Sequence, residues 1–334
     1  MVPHTTILEQ QMNSLLLQTL APSTTRQYSN ACKSYQSFCS QYNLLSFPLI
    51  EHTLMLYTTH LSNRSSYKNI KLHLAAVKHF TILLSYQTII PPMPRLYLLV
   101  RAIKRKQGNK YSKQKRLPIT TSLMQKIHHY IQVSSLSSHD KHMLWAAATT
   151  AFFGFLRASE FVASTTKKYD PNTTLQATDI TITPTQAIIH LKSSKTDPFR
   201  QGCDIRLNRT NTPDLCPVHS LSYFITKFSS KQGPIFTYQD GTYLTRRRLN
   251  KFLKAAIPTT TSPISSHSFR IGAATTAAAA GLPRWLIQKL GRWSSDCYRT
   301  YIELPNNMLT HAQRLMSVTL NVGATWDPDH LAIQ

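Results

Sequence analysis

Acidic residues are scarce in this sequence: 14 Asp and Glu stand against 38 Lys and Arg among 334 residues. The acids are spread along the chain without a cluster, and the 14 histidines form no His-x₃-His pair backed by cysteines. Enzymes that hold two catalytic metal ions need several carboxylates close together. The sequence therefore predicts neither a metal site nor a cofactor.

Paired cysteines and long apolar runs are also missing. The five cysteines form no Cys-x-x-Cys pair, which argues against a zinc ribbon or a disulfide framework and favours a reducing compartment. The longest apolar stretch, Met143 to Leu156, has 14 residues, whereas a membrane span needs about 20. The N-terminus lacks the features of a secretory signal. We expect a soluble, intracellular protein.

The excess of basic residues gives a formal net charge of +24 and a pI of about 10.0. Such a charge points to a polyanionic partner, either nucleic acid or an acidic membrane surface. Hydrophobic residues make up 42% of the chain, which excludes a disordered basic tail. Because single cores usually stop growing near about 250 to 300 residues, the length favours two domains.

The first hundred residues have helical periodicity, with apolar and aromatic residues at three- and four-residue intervals in 24–42, 54–61 and 70–84. Only Glu9 and Glu51 are acidic before residue 118, while the same stretch holds 15 Lys and Arg, so its charge is 15 − 2 = +13. A helical module that carries over half of the net charge is expected to grip phosphates.

A basic segment closes this module. Arg101 to Arg116 contains eight Lys and Arg and no acid, and Gly108 and Pro118 punctuate it. This composition is typical of a linker. A solvated basic loop or a nuclear localisation signal is an equally good interpretation of a short basic run.

Beyond Pro118 the pattern alternates between helices and strands. Helices are predicted at 121–133, 140–161, 217–228, 245–255, 266–280, 283–290 and 296–302, and strands at 179–183, 187–191 and 204–207. We expect a mostly α protein with two domains. The first domain is helical and covers 1–105, and the second is α-rich with a small antiparallel β-sheet and covers 119–318. A basic linker at 106–118 joins them, and a tail follows at 319–334.

Arg157 is the first candidate for chemistry, since it ends a buried apolar segment and precedes Glu160 by one helical turn. Burying a guanidinium is costly unless it is paired. One interpretation is a plain ion pair at a helix end. The other is that Glu160 holds Arg157 in a cleft, where it binds a phosphate through two hydrogen bonds.

Two further candidates lie nearer the C-terminus. His267 and Arg270 share one face at the start of a predicted helix, where free N–H groups favour anions, although a lone His-x-x-Arg is more often an exposed helix start. Tyr298 and Tyr301 form a Tyr-x-x-Tyr pair. A tyrosine can attack phosphorus once it is deprotonated and cations stabilise it, but two packed rings on one face are the commoner outcome.

Together these pieces resemble the tyrosine recombinase (phage integrase-like) family. The segments FLRASE, SSKTD, HSFR, LGRW and TYI are similar to its Arg and Glu, hairpin Lys, His-x-x-Arg, Leu-Gly-His/Trp and nucleophilic Tyr elements, in the same order. PSTTRQY is similar to the start of its core-binding domain, so the resemblance covers roughly residues 10 to 315. SKTDPFRQG and GRWSSDCYRTYI are most similar to recombinases of DIRS-like, Ngaro-like and Crypton-like eukaryotic mobile elements.

The resemblance implies the catalytic residues Arg157, Lys195, His267, Arg270, Trp293 and Tyr301, with Glu160 and Arg292 in support. After Leu-Gly the family usually has His or Trp, but here Arg292 intervenes. By residue type, Trp293 takes the place of this His or Trp, and we prefer it. By strict spacing, Arg292 takes that place. Lys195 is preferred over Lys192 because Thr-Asp follows it, and Tyr301 over Tyr298 because it precedes an Ile at the family's usual place.

The implied reaction cleaves and rejoins DNA without metal or ATP. Tyr301 attacks the phosphate, Arg157 and Arg270 stabilise the non-bridging oxygens, Lys195 protonates the 5′ oxygen, and His267 accepts the tyrosine proton. The product is a 3′-phosphotyrosyl intermediate. A catalytically inactive DNA-binding relative and a type IB topoisomerase-like enzyme are the alternatives.

The implied partners are double-stranded DNA and three further copies in a synaptic homotetramer, with no membrane partner and no small-molecule substrate. We expect mobile-element integration in the nucleus, or in the cytoplasm or nucleoid if the element is not eukaryotic. Residues expected to bind DNA are Arg26, Lys68, Lys71, Lys78, Arg101, Lys104, Arg105, Lys106, Arg246 and Arg247.

Overall fold

The computed structural model describes residues 4–87, 89–108, 114–193, 201–228, 232–258, 262–300, 302 and 314. The chain divides into two compact units, Met1–Lys113 and Gln114–Gln334. The described part of the first unit is helical, and the second combines helices with a three-stranded antiparallel sheet. The predicted mostly α architecture with a small sheet is confirmed.

The first unit consists of helices α1 (His4–Leu17), α2 (Pro22–Gln41), α3 (Glu51–Ser62), α4 (Tyr67–Leu83) and α5 (Pro94–Gln107). Helix α5 covers the first part of the basic segment, because Leu96 and Ile103, two turns apart, are buried on one face and hold it against the core. Its start is capped by Glu51, whose Oε1 accepts a hydrogen bond from Leu96 N at 2.9 Å. One of the few acids of the chain is therefore structural.

Aromatic rings fill the centre of this unit. The rings of Tyr35 and Tyr57 are fully buried and lie 5.2 Å apart, edge to face. The Tyr57 hydroxyl contacts Ser34 Oγ at 3.1 Å and His73 Nδ1 at 2.7 Å, which meets the requirement that a buried hydroxyl be hydrogen-bonded. These contacts join α2, α3 and α4.

The second unit contains helices α6 (Thr121–Val133), α7 (Ser138–Phe153), α8 (Ala158–Phe161), α9 (Pro217–Phe228), α10 (Arg246–Ala256), α11 (His267–Ala279) and α12 (Arg284–Leu290), and strands β1 (Ile180–Ile182), β2 (Gln186–Leu191) and β3 (Cys203–Asn208). The strands pair in the order β1-β2-β3, with Ile189 opposite both Ile180 and Ile205. Helix α7 forms the centre of the core, since its ten residues from Met143 to Phe152 are all buried.

Small residues let α11 pack closely on the segment before α6. Ile119 N donates to Ser268 O at 3.0 Å, and a Cβ atom at Gly272 would collide with the Ile119 carbonyl. The alanine-rich helix α11 is thus closely packed at Gly272. Within the described ranges, no helix is both long and apolar enough to cross a membrane.

Candidate active site

Arg157 sits at a break between two helices. The sequence predicted one helix over 140–161, but this prediction is wrong: α7 ends at Phe153, and Phe155 adopts a left-handed backbone conformation with φ of 48°. Phe155 N and Leu156 N donate to the carbonyls of Phe152 and Ala151, the pattern of a Schellman helix end. The chain then reverses, and Arg157 becomes the N-cap residue of the four-residue helix α8.

The carboxylate of Glu160 joins Arg157 to Arg292. Glu160 is only 1% exposed. Its Oε1 accepts from Arg157 Nη1 at 2.9 Å, while its Oε2 accepts from Arg157 N at 2.9 Å and from Arg292 Nη2 at 2.8 Å. A buried carboxylate is tolerated only when charge and hydrogen bonds compensate it, and three donors do so here.

Among the candidate cations that the structure describes, Arg270 is the most deeply placed, with 1% of the residue exposed. Its two terminal nitrogens donate to the carbonyls of Phe155 and Gly291, and its guanidinium lies 4.3 Å from the centre of the Trp293 ring. Phe155 and Gly291 lie at the C-terminal ends of α7 and α12, where carbonyls and the helix dipole favour a cation. Two helix ends and an aromatic face thus compensate this guanidinium.

Trp293 forms an aromatic layer over this guanidinium. It is buried, and its ring lies 6.1 Å from Phe155 and 5.9 Å from Tyr298. A Cβ atom at Gly291 would collide with the Trp293 ring, which explains a glycine at this position. Tyr298 belongs to a 3₁₀ turn over Asp296–Thr300 and is 2% exposed, so its ring is part of the core.

His267 begins α11 and is half-buried beside several guanidinium groups. Burial, as the largest cause, and the charges of Arg116, Arg270, Arg246 and Arg157 together lower its pKa to about 4. The imidazole is therefore neutral at physiological pH, with a nitrogen that can accept a proton.

Arg116 was not among the site residues predicted from the sequence, where it was placed in the linker. Leu117 N donates to Pro263 O at 3.0 Å, and together with the bond from Ile119 to Ser268 this pairs residues 117–119 with the segment that leads into α11. Arg116 thereby lies near enough to act on the charge state of His267. A basic run has no periodicity that would reveal such a pairing.

A cleft of about 540 Å³ opens beside these groups, within the usual range of about 300 to 1,000 Å³ for ligand sites. Arg157, Arg246 and His267 line it together with hydroxyl groups such as that of Ser159, and one carboxylate, Asp170, also lines it. Because two arginines stand against this one carboxylate, the cleft suits an anionic ligand. Among the described residues, no group of three His, Cys, Asp or Glu is arranged to hold a metal ion.

Two of the predicted catalytic residues, Lys195 and Tyr301, lie outside the described residues. Lys192, the competing lysine at the end of β2, has its Nζ 2.8 Å from Asp179 Oδ2. The same carboxylate oxygen accepts from Gln176 N at 2.9 Å. Lys192 is thus engaged in a partly buried ion pair that supports the start of β1.

The three consecutive arginines at the start of α10 have different surroundings. Arg246 and Arg247 are exposed, and Arg246 lines the cleft. Arg248 instead stacks on Tyr238 at 3.6 Å and donates to Thr242 Oγ1. Exposed Lys251 and Lys254 follow Arg247 on the same face at positions i+4 and i+7, while the opposite side of α10 is buried. One face of α10 is therefore a basic row.

The first unit also presents basic side chains to solvent. The residues predicted to bind DNA there are all exposed, namely Arg26, Lys68, Lys71, Lys78, Arg101, Lys104, Arg105 and Lys106. Lys71 of α4 and Lys104 of α5 lie 5.9 Å and 5.6 Å from the centre of the Tyr67 ring. The two helices thus bring positive charge together around an aromatic face.

The fold is that of tyrosine recombinases of known structure. The chain is similar to the XerH site-specific recombinase bound to palindromic difH substrate (TM-score 0.57, 14% identity, 87% of this chain and 79% of that chain). It is also similar to a lambda integrase dimer bound to a COC′ core site (0.57, 15%, 89% and 94%) and to the Tn1549 transposon integrase with transposon right end DNA (0.58, 13%, 89% and 95%). No family model and no curated protein sequence matches the chain.

Proposed function

We propose that this protein is a site-specific DNA recombinase that cleaves and rejoins strands through a 3′-phosphotyrosyl intermediate on Tyr301. The observation that carries the proposal is the cleft in which Arg157, Arg246 and a neutral His267 meet, with Arg270 close enough to depress the pKa of that histidine. The group combines cations with a proton acceptor, as phosphoryl transfer to an oxygen nucleophile requires. Solved structures with the same fold hold DNA.

The first role is to bind the scissile phosphate. Arg157, at the edge of the cleft, donates to its non-bridging oxygens, and Arg270 adds charge from behind. The negative charge of the bound phosphate offsets the positive guanidinium charges that help to lower the pKa of His267. The histidine thus becomes a better base when the substrate is in place.

The chemical step transfers the phosphate from one oxygen to another. The Tyr301 oxygen attacks phosphorus while His267 takes its proton, and the bond from phosphorus to the 5′ oxygen breaks as Lys195 protonates that oxygen. One P–O bond forms and one breaks, so a 5′ hydroxyl from another strand can reverse the step without ATP. Lys195 and Tyr301 are assigned from the sequence motifs.

Tyr301 is preferred over Tyr298 on physical grounds as well. A nucleophile must reach the phosphate, whereas Tyr298 is 2% exposed and packs on Trp293. Trp293 in turn supports Arg270, which fits the role given to it by residue type. Lys192 is held by Asp179, which favours Lys195 as the general acid.

We further propose that the enzyme integrates a mobile element, that it assembles as a homotetramer on two duplexes, and that it works in the nucleus. The resemblance to DIRS-like, Ngaro-like and Crypton-like recombinases supports these points. The exposed basic residues of α4, α5 and α10 are the proposed contacts to the DNA backbone.

The test begins with selection of the bound DNA from random sequence, followed by a nicked oligonucleotide of that sequence and denaturing electrophoresis. We expect wild type and Tyr298→Phe to form a covalent adduct and Tyr301→Phe to form none. If wild type binds DNA but forms no adduct, the protein is a DNA-binding relative without activity. Adduct formation by Tyr301→Phe would contradict the assignment of the nucleophile.

A second assay separates recombination from topoisomerase activity. Supercoiled plasmid with one site is compared with plasmid carrying two. We expect products joined between two sites, in a reaction that depends steeply on protein concentration because several copies must assemble. Relaxation of the one-site plasmid without joined products would favour a topoisomerase.

A further inference from the structure

Arg292 occupies a backbone position that normally belongs to glycine. Helix α12 ends at Leu290, Arg292 N donates to Lys289 O at 3.0 Å, and Trp293 N donates to Gln288 O at 3.1 Å, which is a Schellman helix end. Arg292 is its left-handed residue, with φ of 54°. A non-glycine residue there is strained, and the contacts of its side chain offset this strain.

The side chain of Arg292 bridges α12 to the break after α7. Its Nη1 donates to Gly154 O at 2.9 Å and its Nη2 to Glu160 Oε2 at 2.8 Å. Its Nε is buried and has no acceptor among the described residues. The guanidinium is therefore fixed at two points, the end of α7 and the carboxylate that also holds Arg157.

Sharing Glu160 between two guanidiniums has an electrostatic consequence. If Glu160 faced Arg157 alone, the pair would be neutral, and Arg157 would attract an anion weakly. With Arg292 bonded to Oε2, the group of three side chains keeps a net positive charge. The second arginine also fixes the carboxylate plane, so that Oε1 meets Nη1 of Arg157.

We propose that Arg292 is a positioning residue, which holds Glu160 and thereby keeps Arg157 aligned and its charge available to the scissile phosphate. The proposal rests on the proposed function, in which Arg157 binds that phosphate. It assigns to Arg292 a task different from the aromatic support given by Trp293.

The test uses Arg292→Gly, because glycine suits the left-handed position and the variant keeps the helix end. DNA with a neutral methylphosphonate at the cleavage position has no charge for Arg157 to neutralise. We expect single-turnover cleavage of ordinary DNA to fall about 10- to 100-fold, as for loss of a residue that supports an active-site group. On methylphosphonate DNA the variant should cleave within about 3-fold of wild type. Lys289→Ala removes an exposed charge from α12 and should change neither rate.

A binding measurement keeps the inference testable without cleavage. In a Tyr301→Phe background, we compare Kd for ordinary and methylphosphonate DNA. We expect a penalty of about 10-fold for removing the phosphate charge, which falls to about 2-fold when Arg292→Gly is added.

The outcomes separate this proposal from the proposed function. Equal rate losses on both substrates, or an unchanged binding penalty, would show that Arg292 is only structural. Absence of any penalty in the Tyr301→Phe background would mean that Arg157 does not bind the phosphate, and both proposals would fall. Failure of wild type to cleave, with the Arg292-dependent penalty intact, would refute only the proposed activity.

Discussion

The low pKa of His267 predicts a specific loss of stability in acid. The unfolded chain binds a proton at this histidine below its ordinary pKa of about 6.5, whereas the folded chain does so only below about 4. The free energy of unfolding therefore decreases as the pH falls from about 6.5 to about 4. Above pH 6.5 this histidine does not change it, because it is neutral in both states. Replacing His267 with glutamine removes the titration and should remove this loss.

The size of the effect follows from the two pKa values. Between pH 7.5 and pH 5, the unfolded state gains about 2 kcal/mol from protonation that the folded state does not gain. Below the folded pKa the difference approaches about 3 kcal/mol. Arg246 is exposed and contributes to the shift, so Arg246→Gln should reduce the loss.

The assay is urea denaturation at pH 7.5 and at pH 5, followed by tryptophan fluorescence. All four tryptophans lie in residues 114–334, so the signal reports on the unit that contains His267. Between pH 7.5 and pH 5, the free energy of unfolding should fall by about 2 kcal/mol more in wild type than in His267→Gln. The exposed His129 of the same unit provides a control, and His129→Gln should behave as wild type does.

Equal losses in wild type and His267→Gln would refute the reasoning. That result would mean that His267 is protonated in the folded protein at pH 5, so that it is neither desolvated nor crowded by cations as the structure indicates. DNA binding should diminish the difference, since a bound phosphate offsets the arginines.

Two further predictions concern packing and the basic helix. Gly272→Ala should lower the free energy of unfolding by at least about 3 kcal/mol in the same urea assay, because its Cβ would collide with the Ile119 carbonyl; a loss under about 1 kcal/mol would contradict this. Arg247→Ala should weaken DNA binding and lower the salt slope of log Kd by about 1 at unchanged stability, whereas Arg248→Ala should reduce stability through lost stacking on Tyr238. Equal effects of both arginines on binding would contradict this distinction.

Local periodicity predicted most of the second unit well. The strand segments and the helices predicted between 217 and 290 agree with the structure within a few residues, because strand alternation and helical repeats are local properties. The helix predicted at 296–302 is instead a 3₁₀ turn over Asp296–Thr300 in the described residues. The break after α7 was missed, since Phe155 gives no sign that it will adopt a left-handed conformation. Its cause is tertiary: the Phe155 carbonyl receives Arg270 from a helix more than one hundred residues later.

The residues of the candidate site could likewise be predicted only in part from the sequence. Motif order identified Arg157, Glu160, His267 and Arg270, whose surroundings the structure now describes. The pairing of Arg292 with Glu160 spans 132 residues, so no local pattern could indicate it. The sequence therefore named Arg292 as a supporting residue from its unusual place after Leu-Gly, but could not show that it contacts Glu160.

Two similar helix ends explain how Arg270 keeps its positive charge although it is buried. Helices α7 and α12 each have glycine as the C-cap and then a left-handed non-glycine residue, Phe155 or Arg292. One carbonyl from each end, those of Phe155 and Gly291, accepts a hydrogen bond from Arg270. The Gly154 carbonyl at the end of α7 accepts from Arg292. Carbonyl dipoles stabilise a guanidinium without cancelling its charge, as a carboxylate would. The scarcity of acids in the sequence fits this arrangement, because a guanidinium held by helix ends retains its charge for an anionic ligand.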